Sequence, residues 1–264
     1  MSRLPDATRI GAVELAALDV PRVTSFYRDL MGLPESAIRV VRASAPRPAF
    51  ATGLYHTAFV HPSRAHLARA VRRLLAARHP IEGASDHLVS EAIYLSDPEG
   101  NGIEIYSDRP RETWRRAGDS IEMGTRPLDA EGLLAEPDPA NEEAARVGHV
   151  HLKVADVAAA EAFYRDLIGF DVQAHMGNMA SFVSAGGYHH HVGMNSWESR
   201  GAPAPPEGAA GLRHFEILVP TREAANAVAS RLAEAKHLHE RAPDGSILTR
   251  DPSGNGLVVR ATDT

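Results

Sequence analysis

Three side chains on separate predicted strands could hold a metal ion. His149 lies two residues before His151 on one strand, so both imidazoles face the same side of a sheet. His56 opens a second strand, and Glu104 lies on the strand after the turn Asp-Pro-Glu-Gly-Asn-Gly. Two imidazoles and one carboxylate on rigid strands, with open positions at the ion, form a ligand set that suits Fe(II) and oxygen chemistry. The simpler alternative is that each histidine is a strand residue whose hydrogen bonds are made within the protein, and that Glu104 is a charged residue at the edge of a sheet.

The sequence consists of two related halves, in which three segments recur in the same order. They are GAVELAALDVPRVTSFYRDLMGL and GHVHLKVADVAAAEAFYRDLIGF (Gly11–Leu33 and Gly148–Phe170), GLYHTAFVHP and GLRHFEILVP (Gly53–Pro62 and Gly211–Pro220), and SDPEGNGIEIY and RDPSGNGLVVR (Ser96–Tyr106 and Arg250–Arg260). A duplicated scaffold keeps in both copies what folding requires. A polar residue found in one copy only is therefore a candidate for chemistry.

The candidate ligands differ between the two halves. Ala12 stands opposite His149 and Val258 stands opposite Glu104, whereas His56 has a histidine counterpart. Because the scaffold tolerates small apolar residues at two of the three positions, folding alone does not require His149 and Glu104. This asymmetry favours the metal-ligand interpretation.

Each half divides again into two units that open with an apolar, alternating strand. In the first unit of each half, Asp19 or Asp156 caps an amphipathic helix that Gly32 or Gly169 ends. The second unit continues into a helix and two short strands around the turn Asp-Pro-x-Gly-Asn-Gly, where proline presets φ and glycine supplies positive φ. The pattern predicts an α+β chain of four βαβββ-type units, with the first unit shortened over residues 39–52.

The boundaries of the halves follow from a change in pattern between them. Residues 109–146 show no strand pattern and are rich in Pro, Glu and Ala, which is typical of a long connection over the surface. We predict an N-terminal domain over residues 8–110, a connecting segment over residues 111–146 and a C-terminal domain over residues 147–262.

Composition excludes several classes of protein. The 264 residues are 44% hydrophobic, enough for two globular cores, and the net charge of -6 argues against nucleic-acid binding. No apolar stretch approaches the roughly 20 residues of a membrane-spanning helix, and the N-terminus lacks an apolar signal region. We therefore expect a cytoplasmic protein without membrane contact. The chain has no cysteine, so its 14 histidines are the main nitrogen or sulfur ligands for a transition metal.

The order of units and motifs resembles the vicinal oxygen chelate superfamily (glyoxalases, bleomycin resistance proteins and extradiol dioxygenases). Within it, the chain resembles the ring-cleaving catechol 2,3-dioxygenases over nearly its whole length. The most specific segments are GLYHTAFVHP, DHLVSEAIYLSDPEGNGIEIYSDRP (Asp86–Pro110), GHVHLKVADV and SAGGYHHHVGMNSW (Ser184–Trp197). The resemblance implies cup-shaped mixed sheets, each built from two units.

In this superfamily, the ligands come from the first strands of two units and the last strand of one. Units two and three offer the complete set His56, Glu104 and His149, whereas every other pairing considered lacks a ligand. Pairing within each half would leave no complete set. We therefore expect the active cup to join unit two to unit three across the halves.

The resemblance implies an extradiol dioxygenase that inserts O2, as co-substrate, into a small aromatic diol next to its two hydroxyls. The metal would be Fe(II), with Mn(II) as the alternative. The acid–base residue falls on His190, to within one position because three histidines run together. His87 and Tyr94 would donate hydrogen bonds as charge develops on oxygen.

Three further histidines are candidates for the substrate pocket. They are His151, His189 and His191. If residues 189–191 lie on a strand, alternation predicts that His189 and His191 share a face opposite His190.

Two other functions stay open on the same scaffold. A glyoxalase-like lyase or isomerase using zinc or nickel would usually require a fourth protein ligand, and none is evident at the end of unit three. A metal-free module could instead bind a small aromatic molecule, although the complete ligand set argues against it. The catechol substituents are not fixed by these patterns, and a homo-oligomer is compatible with them.

Overall fold

The computed structural model describes residues 3–118 and 120–263 and follows the predicted order of four units. The first unit holds two strands and one helix. These are β1 (Arg9–Ala17), α1 (Val20–Ser25) and β2 (Ile38–Arg42). The residues between β2 and the next strand contribute only an isolated bridge between Ala45 and Ala209. The prediction of a shortened first unit is confirmed.

The second unit contains a strand, a long helix and three further strands. They are β3 (Gly53–Val60), α2 (Arg64–Ala76), β4 (Gly83–Asp86), β5 (Ser90–Ser96) and β6 (Gly102–Asp108). Ser63 caps α2 by accepting a hydrogen bond from the His66 amide. One face of α2 is buried in the core through Leu67, Val71 and Leu74.

The connection between the halves contains short regular elements. They are a 3-10 turn (Arg111–Thr113), β7 (Arg116–Ala117), β8 (Ser120–Ile121) and α3 (Ala130–Leu134). The prediction of a connection without strands is wrong here, because two-residue strands are too short to produce an alternating pattern. Arg64 of α2 forms ion pairs of 2.6 Å with Glu91 of β5 and with Glu136 of the connecting segment. These ion pairs hold the part of the segment around Glu136 against α2.

The third and fourth units repeat the layout of strand, helix and three strands. The third comprises β9 (Arg146–Lys153), α4 (Val157–Ala162), β10 (Asp171–Met176), β11 (Ala180–Ser184) and β12 (Val192–Asn195). The fourth comprises β13 (Gly211–Val219), α5 (Arg222–Glu234), β14 (His239–Arg241), β15 (Ile247–Arg250) and β16 (Gly256–Ala261). The predicted α+β class is confirmed.

The strands form two large mixed sheets, and each sheet combines both halves of the sequence. The eight-stranded sheet has the order β10-β11-β12-β9-β3-β6-β5-β4, and the six-stranded sheet has the order β14-β15-β16-β13-β1-β2. In the first sheet, β3 of unit two pairs antiparallel with β9 of unit three. The prediction that these two units share a cup is confirmed. Because each sheet takes strands from both halves, the domain limits at residues 110 and 147 stay predictions.

The repeated FYRDL segments wind more widely than the α-helices we predicted for them. Asp19 and Asp156 cap α1 and α4 as expected, but the chain then continues as π-helical turns over Phe26–Leu30 and Phe163–Ile168. The two tyrosines of these turns are buried and donate hydrogen bonds to the first residue of the Asp-Pro-x-Gly-Asn-Gly turns. The pairs are Tyr27 with Asp97 (3.1 Å) and Tyr164 with Asp251 (3.2 Å). This contact connects the two motifs that both halves retain.

The last glycine of the Asp-Pro-x-Gly-Asn-Gly turn is required for space. A Cβ at Gly102 would lie 2.2 Å from the carbonyl oxygen of Tyr55, and a Cβ at Gly256 would lie 2.2 Å from that of Arg213. Both obstructing atoms belong to the backbone of the neighbouring strand, so neither can move without shifting the strand pair. The same close approach therefore occurs once in each sheet.

We expect Gly102→Ala to lower the free energy of unfolding by about 1–3 kcal/mol, because the added methyl forces β3 and β6 apart. Urea denaturation would measure the loss. Gly83→Ala is the matched control, since its Cβ would meet Tyr94 Cδ2 at an ordinary 3.7 Å. An equal loss in both variants would contradict this account of Gly102.

Candidate metal centre and active site

Three neighbouring strands bring the candidate ligands to one face of the eight-stranded sheet. In the register of the sheet, Ala58 of β3 lies opposite Glu104 of β6 on one side and opposite His149 of β9 on the other. His56 lies two residues before Ala58 and therefore faces the same way. The methyl group of Ala58, which is fully buried, leaves the space between the ligands open.

The three functional groups converge. His56 Nε2 lies 3.1 Å from Glu104 Oε2, and His149 Nε2 lies 3.3 Å from the same oxygen. All three side chains are buried, and neither Nε2 atom forms a hydrogen bond with any part of the chain that the structure describes. Buried polar atoms are rarely left without a partner. Two orphaned imidazole nitrogens directed at one carboxylate fit a divalent transition metal.

The protonation states also fit a metal. Burial alone would raise the pKa of Glu104, but the adjoining imidazoles of His149 and His56 outweigh it and hold this pKa well below its ordinary value. Burial lowers the pKa of His149 to about 4, against the opposing influence of Glu104. At neutral pH the site therefore holds an ionised carboxylate and a neutral imidazole at position 149, the forms that bind metals.

A buried chain of hydrogen bonds orients His149. Tyr188 donates to Asp108 Oδ2 at 2.8 Å, and the hydroxyls of Tyr106 and Tyr188 lie 2.7 Å apart. Since the carboxylate only accepts, Tyr106 donates to Tyr188, and its own oxygen can accept from His149 Nδ1 at 3.4 Å. This arrangement leaves the lone pair of His149 on Nε2, the atom that faces Glu104.

The three consecutive histidines lie in a bend before β12. The prediction that they alternate along a strand is wrong, because Gly186 and Gly187 turn the chain with φ of +61° and +64° before it re-enters the sheet. His189 and His190 are neighbours rather than opposites, with their Nδ1 atoms 2.8 Å apart. His191 instead packs against Phe170 and Tyr188.

His190 is the member of this run that faces the cavity beside the candidate metal ligands. Its ring centroid lies 4.0 Å from that of His149. His189 lies behind it and its Nε2 donates to Asp108 Oδ1 at 3.0 Å. One of the two Nδ1 atoms of His189 and His190 donates its hydrogen to the other. Neither His189 nor His191 lines the cavity, contrary to the pocket role expected of them.

His87 and Tyr94 lie on the opposite wall and contact each other. His87 Nδ1 donates to the carbonyl oxygen of Gly124 at 2.7 Å, so its Nε2 accepts from the Tyr94 hydroxyl at 2.6 Å. Tyr94 also pairs with Glu104 in the register of β5 and β6. Burial, followed by the negative charge of Glu104, raises the pKa of Tyr94, so this hydroxyl keeps its proton at neutral pH.

The cavity above the ligands has a volume of about 1010 Å³. Six of the predicted site residues line it, namely His56, His87, Tyr94, Glu104, His151 and His190. His151 Nε2 accepts from the Asn195 side-chain amide at 3.0 Å. A bulge between Leu54 and His56 allows Tyr55 to face the cavity as well, where its ring lies 5.4 Å from that of Trp197.

Two contributions to this cavity were missed by sequence reasoning. Residues 120–125 of the connecting segment line it, although they carry no strand or helix pattern that links them to the site. The second is Ala58, whose small side chain leaves space between the ligands. Its importance could have been inferred from the aligned segments GLYHTAFVHP and GLRHFEILVP, because Glu216 occupies the same position in the other copy. The tyrosine chain of Tyr106 and Tyr188 involves contacts too distant in sequence for any local pattern.

The six-stranded sheet repeats the register of the eight-stranded one, bulges included, but its cup is filled. Glu216 occupies the position of Ala58 and accepts hydrogen bonds from the Ala12 amide (3.1 Å) and Arg39 (2.7 Å). In the same cup, His214 Nδ1 lies 3.7 Å from Glu14 Oε1. Among residues 3–118 and 120–263, no metal-ligand cluster occurs in this sheet. No helix within these ranges is long and apolar enough to cross a membrane.

We expect Fe(II) or Mn(II) to raise the Tm of the protein, because an ion that binds only the folded state stabilises it by about 2.7 kcal/mol at 100 times its Kd. Glu104→Gln should lose most of this shift, since it removes the charged ligand. His214→Asn, the matched change in the filled cup, should retain it. Differential scanning calorimetry under anaerobic conditions measures the shifts, and an equal loss in both variants would contradict the site.

Comparisons with known proteins agree with this architecture. A model of the Glyoxalase/Bleomycin resistance protein/Dioxygenase superfamily matches residues 146–259. The chain is 38% identical over 285 aligned positions to the catechol-2,3-dioxygenase of Bacillus subtilis strain 168, covering 98% of this chain and 99% of that protein.

Two solved structures share the fold at low identity. Glyoxalase I of Zea mays superimposes with a TM-score of 0.57 and 13% identity, over 97% of this chain and 92% of that one. A protein of Bacillus subtilis subsp. subtilis str. 168 superimposes with a TM-score of 0.69 and 13% identity, over 100% and 87% of the two chains. These likenesses show the fold alone, whereas the 38% identical relative shows the family. The chain belongs to the Glyoxalase/Bleomycin resistance protein/Dioxygenase superfamily and, within it, to the catechol-2,3-dioxygenase-like oxidoreductases.

Proposed function

We propose that the protein is an extradiol dioxygenase that cleaves the ring of a small aromatic diol, with O2 as co-substrate. The observation that carries this proposal is the convergence of His56, Glu104 and His149, with two orphaned imidazole nitrogens, at the base of a large cavity. The likeness to a catechol-2,3-dioxygenase over nearly the whole chain supports the same reaction.

These three residues would hold Fe(II), with Mn(II) as the alternative. Once bound, the ion would act as a Lewis acid that lowers the pKa of a diol hydroxyl and would offer open positions to the diol and O2. Within the described part of the chain, no fourth histidine or carboxylate joins this trio. A site with three protein ligands favours ring cleavage over the lyase or isomerase alternative, which would usually require a fourth.

His190 is the proposed acid–base residue. It lines the cavity beside His149. In the proposed role, His190 donates Nδ1–H to His189 and accepts the substrate proton at Nε2. A diol hydroxyl that loses its proton to this nitrogen becomes a better metal ligand, and the same imidazolium can later return the proton to a product oxygen.

Tyr94 is proposed to stabilise negative charge on the substrate from the opposite wall, with His87 holding its hydroxyl in place. The Tyr94 hydroxyl retains its proton and donates it to His87 in the absence of substrate. A substrate oxygen that gains negative charge would be a stronger acceptor than a neutral imidazole and would compete for this hydrogen bond. The contact between His87 and Gly124 also connects this wall to the connecting segment.

The aromatic wall suits a planar ring. Tyr55 lies 5.2 Å from His151 and 5.4 Å from Trp197, both in edge-to-face geometry. Phe182 extends this wall, 5.0 Å from His190 and 5.7 Å from His151. Such surfaces bind an aromatic ring by stacking and dispersion while they exclude water from the ligands.

Protein reconstituted anaerobically with Fe(II) should convert catechol, on exposure to air, to a yellow semialdehyde product that absorbance can follow. Glu104→Gln should abolish the activity because it removes the anionic ligand, whereas His214→Asn in the filled cup should retain it. Equal sensitivity of the two variants, or no product from the wild type with any catechol, would refute the proposal.

We expect His190→Asn to lower kcat by about 10²- to 10⁴-fold, the usual contribution of a general acid–base residue. Calorimetric metal titration should give an unchanged affinity, because His190 does not belong to the metal trio. His175→Asn, a histidine on the cavity rim paired with Glu161, serves as the control and should keep its kcat. A fully active His190→Asn variant would exclude this role.

A further inference from the structure

Two cations at one end of the metal cavity lack an acidic partner. Lys153 is the last residue of β9 and, by alternation, shares the face of His149 and His151. Arg47 comes from the shortened stretch of the first unit and donates a hydrogen bond to the carbonyl oxygen of Glu99 at 3.1 Å. Both side chains are half-buried and line the cavity, as Glu198 does, and neither forms an ion pair with a described carboxylate.

The placement of Arg47 beside Lys153 is electrostatically unfavourable in the protein without a bound anion. Burial and the positive charge of Arg47 both lower the pKa of Lys153, and the negative charge of Glu198 offsets them only in part. Glu198 is exposed and lies beyond ion-pair distance from both cations. Desolvated cations without a partner are costly, so an anion placed between Arg47 and Lys153 would relieve the cost.

A second cavity strengthens the positive potential at the same place. It has a volume of about 440 Å³ and meets the first cavity at Arg47, Leu54 and Lys153. Arg213 and Arg250 add two cations to its wall, against a single described carboxylate, Glu207. Clefts lined by one sign of charge concentrate ligands of the opposite sign.

The distance from the metal ligands to these cations suits a substituted catechol. Lys153 lies four positions after His149 on β9, which places their Cα atoms about 14 Å apart. The aromatic wall of Tyr55, His151 and Trp197 lies along the cavity between the two ends. A ring bound through its diol at one end would therefore direct a short side chain toward the cations at the other.

We propose that the preferred substrate is a catechol with a short side chain that ends in a carboxylate, and that Arg47 and Lys153 bind this carboxylate. This inference rests on the proposed ring-cleaving function and names its substrate class. The guanidinium of Arg47 offers paired donors to a carboxylate, and Lys153 adds a point charge. An uncharged catechol would bind at the end of the cavity near His56, Glu104 and His149 in the same way, but it would leave Arg47 and Lys153 without an anionic partner.

The test compares 3-(3,4-dihydroxyphenyl)propionate with its methyl ester, which has the same ring and diol but no charge. The wild type should favour the acid by about tenfold or more in kcat/KM, the usual effect of a charge-assisted hydrogen bond. Lys153→Met and Arg47→Met should each reduce this preference while leaving the ester rate nearly unchanged. Lys236→Met, at the exposed lysine after α5, is the matched control and should keep the wild-type preference.

A binding measurement separates this inference from the reaction. Quenching of tryptophan fluorescence in metal-free protein should give a lower Kd for the acid than for the ester, and Lys153→Met should remove the difference. Glu198→Gln should increase the preference for the acid, because it removes the competing carboxylate. Arg47→Met keeps the test informative if Lys153→Met does not fold.

The outcomes are distinguishable. Equal kcat/KM values for acid and ester in the wild type, or a preference that survives in the double variant of Arg47 and Lys153, would overturn the inference and leave the dioxygenase function standing. Acid-selective binding without turnover of any catechol would instead refute the proposed function while supporting the anion site.

Discussion

The antiparallel pairing of β3 with β9 is the contact on which the site depends. It joins strands from opposite halves of the chain and places Ala58 directly between Glu104 and His149. Side chains alternate along a strand, so a slip of one residue in this register would turn His149 to the other face. The candidate ligand set therefore exists only because two distant segments pair in one register, and the close approach at Gly102 helps to fix it from the other side of β3.

The duplicated architecture separates the requirements of folding from those of chemistry. Each sheet has the same buried contact from a tyrosine of the π-helical turn to an aspartate, and each has the same glycine against a neighbouring backbone. These features occur in both copies because the fold requires them. Among the described residues, the orphaned imidazoles, the tyrosine chain behind His149 and the open space at Ala58 occur in one copy only. In the other copy, Glu216 joins Ala12 and Arg39 by hydrogen bonds and fills the equivalent space.

Comparison of the two copies predicted much of this arrangement from the sequence. It identified His56, Glu104 and His149, the shortened first unit and the pairing of units two and three, because each depends on repeated motifs and alternation. The orientation of His189–His191 could not be predicted, because two glycines with positive φ replace strand geometry there. The contribution of residues 120–125 to the cavity wall was also beyond local patterns, since tertiary contacts such as that of His87 with the carbonyl oxygen of Gly124 fix this part of the connecting segment.

The identical register of the two sheets has a consequence for protein engineering. The backbone of the filled cup already has the pairing of the active one, since Glu14 lies opposite His214 just as His151 lies opposite His56. What separates the filled cup from the candidate metal site is thus the identity of a few side chains on the same backbone. A designer seeking a second site on this chain could therefore begin from a backbone that already has the required strand pairing.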